Sequence, residues 1–261
     1  THFYGTQRSQ MDFPALENCG KEIWMTEVYV PNSHADSNNI WDQAIQVSEN
    51  IHNGLVVGNM SAYVWWYIRR SYSPMSEDGS ISKRGYNMAH YSKWVRPGDI
   101  RIAATEQPAS GVLVSAYKND NKQVTIVAIN KSTTGYAQEF TIGSGEKIID
   151  VDRWRTTANE NLALTEDLEN DGSSFFAQLP ASSVTTFVVS LEGSGVTPGS
   201  QPDENGYYYH DTFEGDVASW AGRGDATVMT SGRTFYDGAE ALLVQDRAAT
   251  WNGTAKSLNS K

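Results

Sequence analysis

Cysteine and long hydrophobic runs are nearly absent from this sequence of 261 residues. Its single cysteine, Cys19, excludes an intrachain disulfide and a cysteine-based zinc cluster. One cysteine does not exclude export, because a secreted bacterial enzyme can fold without disulfides. No apolar run approaches the roughly 18 to 20 residues of a membrane-spanning helix, so we expect no membrane partner.

Positive charge is also scarce. The 20 Lys and Arg residues are outnumbered by 31 Asp and Glu residues, which gives a formal net charge of −11. Proteins hold phosphate backbones with Lys and Arg, so this balance argues against a nucleic-acid partner.

Signatures of several common chemistries are missing as well. The five histidines do not have the spacing of metal ligands, and we expect neither a metal nor another cofactor. There is no nucleophile elbow, phosphate-binding glycine loop or dinucleotide fingerprint. His52 and His90 fall on predicted helices, where we expect surface or core-edge positions.

Residues 1–98 alternate between strand-like and helix-like patterns, which predicts parallel strands with right-handed crossovers, an α/β arrangement. The hydrophobic share of 39% is ample for a folded core. The predicted elements are a strand at 21–30, a helix capped by Asn38 or Asn39 and stopped by Gly54, a strand at 61–68, and a short helix around Met88 that Pro97 and Gly98 close.

The pattern changes to all-β after residue 98. A hairpin is predicted at 112–129, and further strands near 138–142, 147–154, 174–178 and 183–191. With no helix expected, residues 99–192 predict an antiparallel β-sandwich. The Gly, Ser and Pro content of residues 193–206 is typical of a linker, and residues 207–261 again predict short strands.

Glu27 is the first candidate for chemistry. It lies at the carboxyl end of the first predicted strand, where parallel α/β folds build their active sites. Apolar neighbours on both sides make its ionisation costly unless partners are supplied. The alternative is a solvated glutamate at a strand edge.

A second candidate is the aromatic and basic cluster at residues 65–72. Aromatic rings can stack on a sugar, and an arginine binds a carboxylate through paired hydrogen bonds, so the cluster suits an acidic sugar. Alternatively, the tryptophans fill the core and the arginines lie on a solvated turn. We expect one member of each pair, Trp65 with Trp66 and Arg69 with Arg70, in the core and one in the site.

Several segments resemble family 30 glycoside hydrolases, and more narrowly their glucuronoxylan-specific endo-β-1,4-xylanases. The similar segments are 24–29, 62–72, 81–91 and 179–189, and the similarity covers about residues 1–192. The resemblance implies a (β/α)₈ barrel fused to a β-sandwich, a secreted monomer, and hydrolysis of glucuronoxylan with retained anomeric configuration.

The resemblance also implies roles for individual residues. Glu27 matches the catalytic nucleophile at the end of barrel strand 7, and Trp66 matches the aromatic floor of the −1 sugar site. The positions that match those binding the methylglucuronate branch are Tyr29, Ser33, Tyr67 and Arg70.

One departure concerns the general acid/base, normally a glutamate in an Asn-Glu-Pro-like motif well upstream. Here Asn159-Glu160-Asn161 lies in the predicted sandwich, and residues 203–205 lie in the linker. Because both chain ends look cut, we expect an interior fragment, lacking the first barrel strands and inactive alone.

The tail, residues 207–261, resembles the first strands of a family 22 carbohydrate-binding module, or of the related families 4 and 9. Such modules are jelly-roll sandwiches, and this one would be truncated. Two alternatives to the xylanase remain: a retaining β-glycosidase of the same clan with another sugar specificity, and a non-catalytic xylan-binding protein.

Overall fold

A computed structural model describes residues 1–16, 19–29, 37–165, 168–194, 220–231, 241–249 and 253–255. The chain divides into two compact units, residues 1–198 and residues 199–261. The helices that the described residues form lack the length and hydrophobicity of a membrane span.

The first unit begins with a parallel pair of short strands, β1 (Trp24–Met25) and β2 (Ala62–Tyr63). Helix α1 (Trp41–Val56) connects them, and α2 (Lys83–Ser92) follows. The pairing extends past the regular strands, because the Val64 N–H donates to Met25 O and the Trp66 N–H to Val28 O, each at 2.9 Å. The predicted parallel pairing is therefore confirmed, although β1 and β2 are shorter than the apolar runs.

The predicted ends of α1 were wrong. Its N-cap is Ile40, with no side-chain cap. Asn39 instead accepts the Lys83 backbone N–H at 3.0 Å, at the start of α2. Gly54 lies inside the helix, where a Cβ would come within 3.3 Å of the Phe3 ring, so this glycine allows close packing rather than termination.

A β-sandwich follows, as predicted for this part of the chain. Its larger sheet is antiparallel with the order β3-β4-β5-β10-β7-β8, and β6 pairs with β9 in a second sheet. The described residues of this part include no helix. The strands are β3 (Ile100–Ile102), β4 (Val112–Lys118), β5 (Gln123–Asn130), β6 (Tyr136–Thr141), β7 (Ile148–Thr156), β8 (Ala163–Thr165), β9 (Ser174–Leu179) and β10 (Ser183–Leu191).

The described residues of this unit form three apolar cores, two of which involve the sandwich. One lies inside the sandwich and centres on three aromatic rings, Phe140, Phe175 and Phe187. The other lies between the helices and the larger sheet, where Ile51 and Tyr91 pack with buried residues of β4, β5 and β10. The α/β part and the sandwich therefore share a buried interface, which explains why residues 1–198 form one compact unit.

His90 is part of that interface, and His90 and His52 are both fully buried, so the surface or core-edge positions expected for them were wrong. The Nδ1 and Nε2 atoms of His90 each lie 2.8 Å from a threonine hydroxyl, of Thr186 and Thr156. Thr186 donates its own proton to the His90 carbonyl oxygen, so it accepts from Nδ1–H, and Nε2 accepts from Thr156. Burial lowers the pKa of His90 to about 3, which keeps the ring neutral.

This neutral histidine predicts an acid-sensitive interface. Below the unfolded-state pKa of about 6.5 the unfolded chain binds a proton that the folded chain does not, so stability falls as pH falls toward 3. The slope from this one group approaches about 1.4 kcal/mol per pH unit. Denaturant unfolding across this window should show a shallower decline for His90→Gln, and equal slopes would contradict the assignment.

The second unit contains two antiparallel strand pairs in its described residues. The pairs are β11 (Ala221–Arg223) with β14 (Gly253–Ala255), and β12 (Thr227–Ser231) with β13 (Ala241–Gln245). The short strands predicted for the tail are present there. Residues 195–206 of the predicted linker and much of the tail lie outside the described residues.

Candidate active site

Glu27 and Trp66 lie at the same edge of the parallel pair. Glu27 follows β1 and forms a backbone bridge with His2, and Trp66 follows β2 and bonds to the main chain at Val28. The Glu27 side chain is 28% exposed, so it is accessible from solvent without being fully solvated. This edge is the carboxyl end of both strands, as predicted from the sequence.

Two partners of Glu27 come from the first residues of the chain, and the sequence reasoning missed both. The Tyr4 hydroxyl forms a hydrogen bond with the carboxylate, and His2 Nδ1 lies 3.8 Å from Glu27 Oε1. Phe3, between them, is buried. The His-Phe-Tyr alternation at residues 2–4 is the signal that could have placed His2 and Tyr4 on one face.

The contact with Glu27 changes the pKa of the Tyr4 phenol. Partial desolvation of its hydroxyl, then the hydrogen bond to Glu27 and the charge of Glu27, raise the pKa of Tyr4 to about 12. The phenol is therefore protonated at neutral pH and serves as a hydrogen-bond donor to the carboxylate.

The coupling can be tested by titration. In a Glu27→Gln variant the negative charge disappears, so the pKa of Tyr4 should fall from about 12 toward the usual 10 without reaching it, because the partial desolvation remains. An ultraviolet difference titration of the variant against the parent isolates this tyrosine. A flat difference curve would show that Tyr4 and Glu27 do not interact.

An aromatic row runs outward from this carboxylate. Tyr4 contacts Tyr29 and Tyr29 contacts Tyr72, both with ring centroids 5.2 Å apart. On the β2 side, the Trp66 and Tyr67 rings are 4.4 Å apart, and the Arg70 guanidinium lies 4.5 Å from the Tyr67 ring centroid. The edge thus combines a carboxylate, exposed ring faces and a cation. Ser33, the remaining predicted site residue, lies outside the described residues.

As expected, one tryptophan of the pair packs in the core and the other lies at the site. Trp65 packs against the core between the helices and the larger sheet, whereas Trp66 is 37% exposed at the site edge. The arginine pair does not divide, so that expectation was wrong: Arg69 and Arg70 are both exposed. The buried guanidinium belongs to Arg84 in the first turn of α2, where it donates to Tyr72 O at 2.6 Å.

Arg69 and Arg70 differ in their partners. Arg69 Nε lies 3.9 Å from Glu77 Oε2, and its guanidinium also donates to the Glu77 carbonyl. Arg70 donates to the Arg69 carbonyl at 3.0 Å while its guanidinium covers Tyr67. Of the two, Arg70 is the one held beside the exposed aromatic rings.

Glu160 has a structural role. It accepts two hydrogen bonds from Arg155, at 2.5 and 2.8 Å, in the turn after β7. No group of three or more His, Cys, Asp or Glu side chains among the described residues could hold a metal ion.

Two parts of this chain match known domain families. Residues 98–187 match the model of the glycosyl hydrolase family 30 β-sandwich domain, and residues 205–261 match that of a carbohydrate binding domain. The chain carries a family 30 β-sandwich and a carbohydrate-binding domain. For the tail, the match supports carbohydrate binding in general, and the resemblance to family 22 remains a prediction.

Several proteins similar to the part of the chain before the tail are named as xylanases. Over 191 residues the chain is 57% identical to glucuronoxylanase XynC of Bacillus subtilis strain 168, covering 72% of this chain and 45% of that protein. A family 30 endoxylanase from Clostridium papyrosolvens matches with 37% identity and a TM-score of 0.66, covering 72% of this chain and 47% of that one. The chain spans about half the length of these relatives.

A solved family 30 subfamily 8 xylanase from Clostridium acetobutylicum is similar to the same extent. It is 34% identical with a TM-score of 0.64, covering 72% of this chain and 47% of that one. A shorter stretch of 60 residues, 23% of this chain, is 60% identical to endo-1,4-β-xylanase Y of Acetivibrio thermocellus, of which it covers 6%.

Proposed function

We propose that residues 1–192 are the C-terminal part of the catalytic region of a secreted, monomeric, retaining glucuronoxylan endo-β-1,4-xylanase. The observation that carries the proposal is the Glu27 carboxylate at the carboxyl end of a parallel strand pair, bonded by Tyr4 and sharing its edge with Trp66 and Arg70. The relative named glucuronoxylanase, 57% identical over 191 residues, supports the same substrate.

The domain assignment follows from this proposal. Residues 1–98 would complete a (β/α)₈ catalytic barrel, residues 99–192 its β-sandwich side domain, and residues 193–206 a linker. Residues 207–261 would be part of a jelly-roll carbohydrate-binding module. The parallel β1–β2 pair with α1 as its crossover supports the barrel, because such pairs are its repeating unit.

In the proposed reaction the ionised Glu27 attacks the anomeric carbon while a second carboxyl group, outside this chain, protonates the leaving oxygen. A glycosyl ester forms on Glu27, and water then attacks the same carbon with the second group as base, which retains configuration. Tyr4 donates its phenol proton in a hydrogen bond to Glu27 and so fixes the carboxylate's orientation.

Branch recognition would come from Arg70. A guanidinium binds a carboxylate through two parallel hydrogen bonds, and here it is held over Tyr67 next to Trp66. A methylglucuronate carboxylate on Arg70 would set which xylose unit lies over Glu27, with Tyr29 and Ser33 as further contacts. Arg69 is paired with Glu77 and would not take part.

The neighbouring arginines provide a matched pair of variants. We suggest a chimera in which the N-terminal portion of the Bacillus subtilis glucuronoxylanase precedes Thr1. In it, Arg70→Ala should lower kcat/KM on glucuronoxylan by about 100-fold, since loss of a charged hydrogen-bonded partner costs about 2 to 5 kcal/mol. Arg69→Ala should change it by less than about threefold, as expected for an exposed ion pair.

The substrate comparison decides the role of Arg70. On unbranched xylan, Arg70→Ala should lose far less activity than on glucuronoxylan. Equal losses on the two polymers would show that Arg70 does not read the branch and would favour a retaining β-glycosidase of another specificity.

A second candidate function is xylan binding without catalysis, which the match of residues 205–261 to a carbohydrate binding domain favours. The same chimera separates the two. Release of reducing ends from glucuronoxylan supports the enzyme, whereas a folded chimera that binds xylan and releases none supports the binding protein.

A further inference from the structure

The Phe176 side chain on the β-sandwich is largely exposed to solvent. Strand β9 alternates, so that Phe175, Ala177 and Leu179 face the sandwich core and Phe176 faces outward. Phe176 is 65% exposed, more than any other aromatic side chain among the described residues. The exposed rings of Tyr4, Trp66 and Tyr67 lie at the candidate active site, whereas Phe176 lies on the side domain.

Phe176 lines a cavity of about 460 Å³. A backbone bridge between Asn170 and Phe175 holds the preceding segment beside the start of β9. The cavity therefore combines the exposed ring of Phe176 with side chains that form hydrogen bonds, in a size range suited to small ligands. Its lining residues are Glu169, Asn170, Asp171, Ser174, Phe175 and Phe176.

The polar groups of this cavity divide by role. Asp171 accepts the backbone N–H groups of Ser173 and Ser174, at 2.8 and 2.6 Å, and so fixes the turn that forms one wall. Asn170 Oδ1 accepts the Gly172 N–H at 3.0 Å, which orients the amide. The Asn170 NH₂ group and the Glu169 carboxylate are the donor and the acceptor that a ligand hydroxyl would meet.

The surface around Phe176 is acidic. Glu139 is its direct cross-strand partner on β6, and Glu169 and Asp171 lie in the cavity wall. Lys147 packs against Gly172 in the same turn, so carboxylates outnumber the ammonium group. This charge is the reverse of that at Arg70 and would repel a uronate.

We propose that this cavity, centred on Phe176, is a second polysaccharide site that binds an unbranched stretch of β-1,4-linked xylose. The flat apolar face of a xylose ring would stack on Phe176, and its hydroxyls would bond to Asn170 and Glu169. The choice of xylan rests on the proposed function. The side domain would bind unbranched xylan, while the catalytic edge would bind the branched unit of the same polymer.

The test is a titration of the ¹⁵N-labelled chain with xylohexaose, followed by NMR. The backbone amides of Asn170, Gly172 and Ala177 should shift, which separates this site from the tail domain. Phe176→Ala should weaken binding at these amides about 10-fold, and Phe176→Trp should preserve it. Ile100→Ala is the matched control, because Ile100 is 66% exposed on β3 of the same sandwich.

Three outcomes would overturn the proposal. They are amides that do not shift with xylohexaose, shifts that Phe176→Ala leaves unchanged, and equal affinity at these amides for a methylglucuronate-branched oligosaccharide. The failure of the proposed catalytic function is distinguishable, since Arg70→Ala would alter only shifts near Tyr67 and leave those at Gly172. Phe176 is exposed, so its variants should keep the parent spectrum elsewhere.

Discussion

Replacing Glu27 with glutamine should abolish hydrolysis of glucuronoxylan by the chimera, lowering kcat by at least about 10³-fold, which is roughly 4 kcal/mol of lost transition-state stabilisation. The amide has nearly the shape of the carboxylate, but it carries no charge and is not a nucleophile. The glycosyl ester cannot form, so both steps of the retaining mechanism are lost.

Glu22 supplies the matched control, because it lies just before β1 and accepts a hydrogen bond from Trp24 Nε1 at 2.9 Å. Glu22→Gln makes the same chemical change at the opposite end of the strand and should leave kcat within about twofold, as for most exposed surface substitutions. The measurement is the release of reducing ends at saturating substrate.

A chemical rescue separates a nucleophile from a residue that only holds structure. Glu27→Gly opens space beside the anomeric carbon, and azide should attack there and yield a glycosyl azide of inverted configuration. Full turnover by Glu27→Gln would contradict the assignment of Glu27. A variant that azide does not rescue, but whose spectrum is that of the parent, would assign Glu27 a positioning role instead.

Much of the fold was predictable because it depends on local patterns. The hairpin of β4 and β5 follows from two β-branched runs around a polar turn. These are composition signals that a single chain segment carries by itself. The short strand β8 was missed because three residues are too few to show a period.

Contacts between distant segments were not predictable in the same way. Asn39 is an acceptable N-cap residue for α1, but its amide oxygen bonds to the Lys83 N–H, which is 44 residues away. His90 is polar and helical, which indicates a surface position, yet two threonine hydroxyls of the sandwich satisfy both ring nitrogens. Each prediction failed where a tertiary partner outweighed local preference.

The candidate site likewise contains some residues that the sequence predicted and others that depend on tertiary contacts. Glu27 and Trp66 were placed at one edge because the carboxyl ends of parallel strands meet there. Tyr4 was missed because residues 2–4 come beside β1 only in the folded chain. The burial of Arg84, in place of one of the two adjacent arginines, depends on α2 turning that side chain toward Tyr72 and Gln43.

Phe187→Ala should be the most destabilising single change in the sandwich, costing about 3 to 5 kcal/mol. Phe187 is fully buried, and its ring lies 4.9 Å from that of Phe140 and 5.3 Å from that of Phe175. Truncation removes the ring contacts and leaves a cavity that the paired strands around it cannot close. Phe176→Ala, in the other sheet and exposed, should change stability by less than about 0.5 kcal/mol.

Unfolding in guanidinium chloride, followed by two probes, tests how large this destabilisation is and whether it extends beyond the sandwich. Far-ultraviolet circular dichroism follows the sandwich strands, and tryptophan fluorescence also follows Trp65 beside the helices. Thr186, next to Phe187, bonds to His90 of α2. The loss of stability should therefore extend to the α/β part, and the midpoints of both unfolding transitions should shift together. If only the strand signal shifts, the two parts unfold separately and their shared core contributes little to cooperativity.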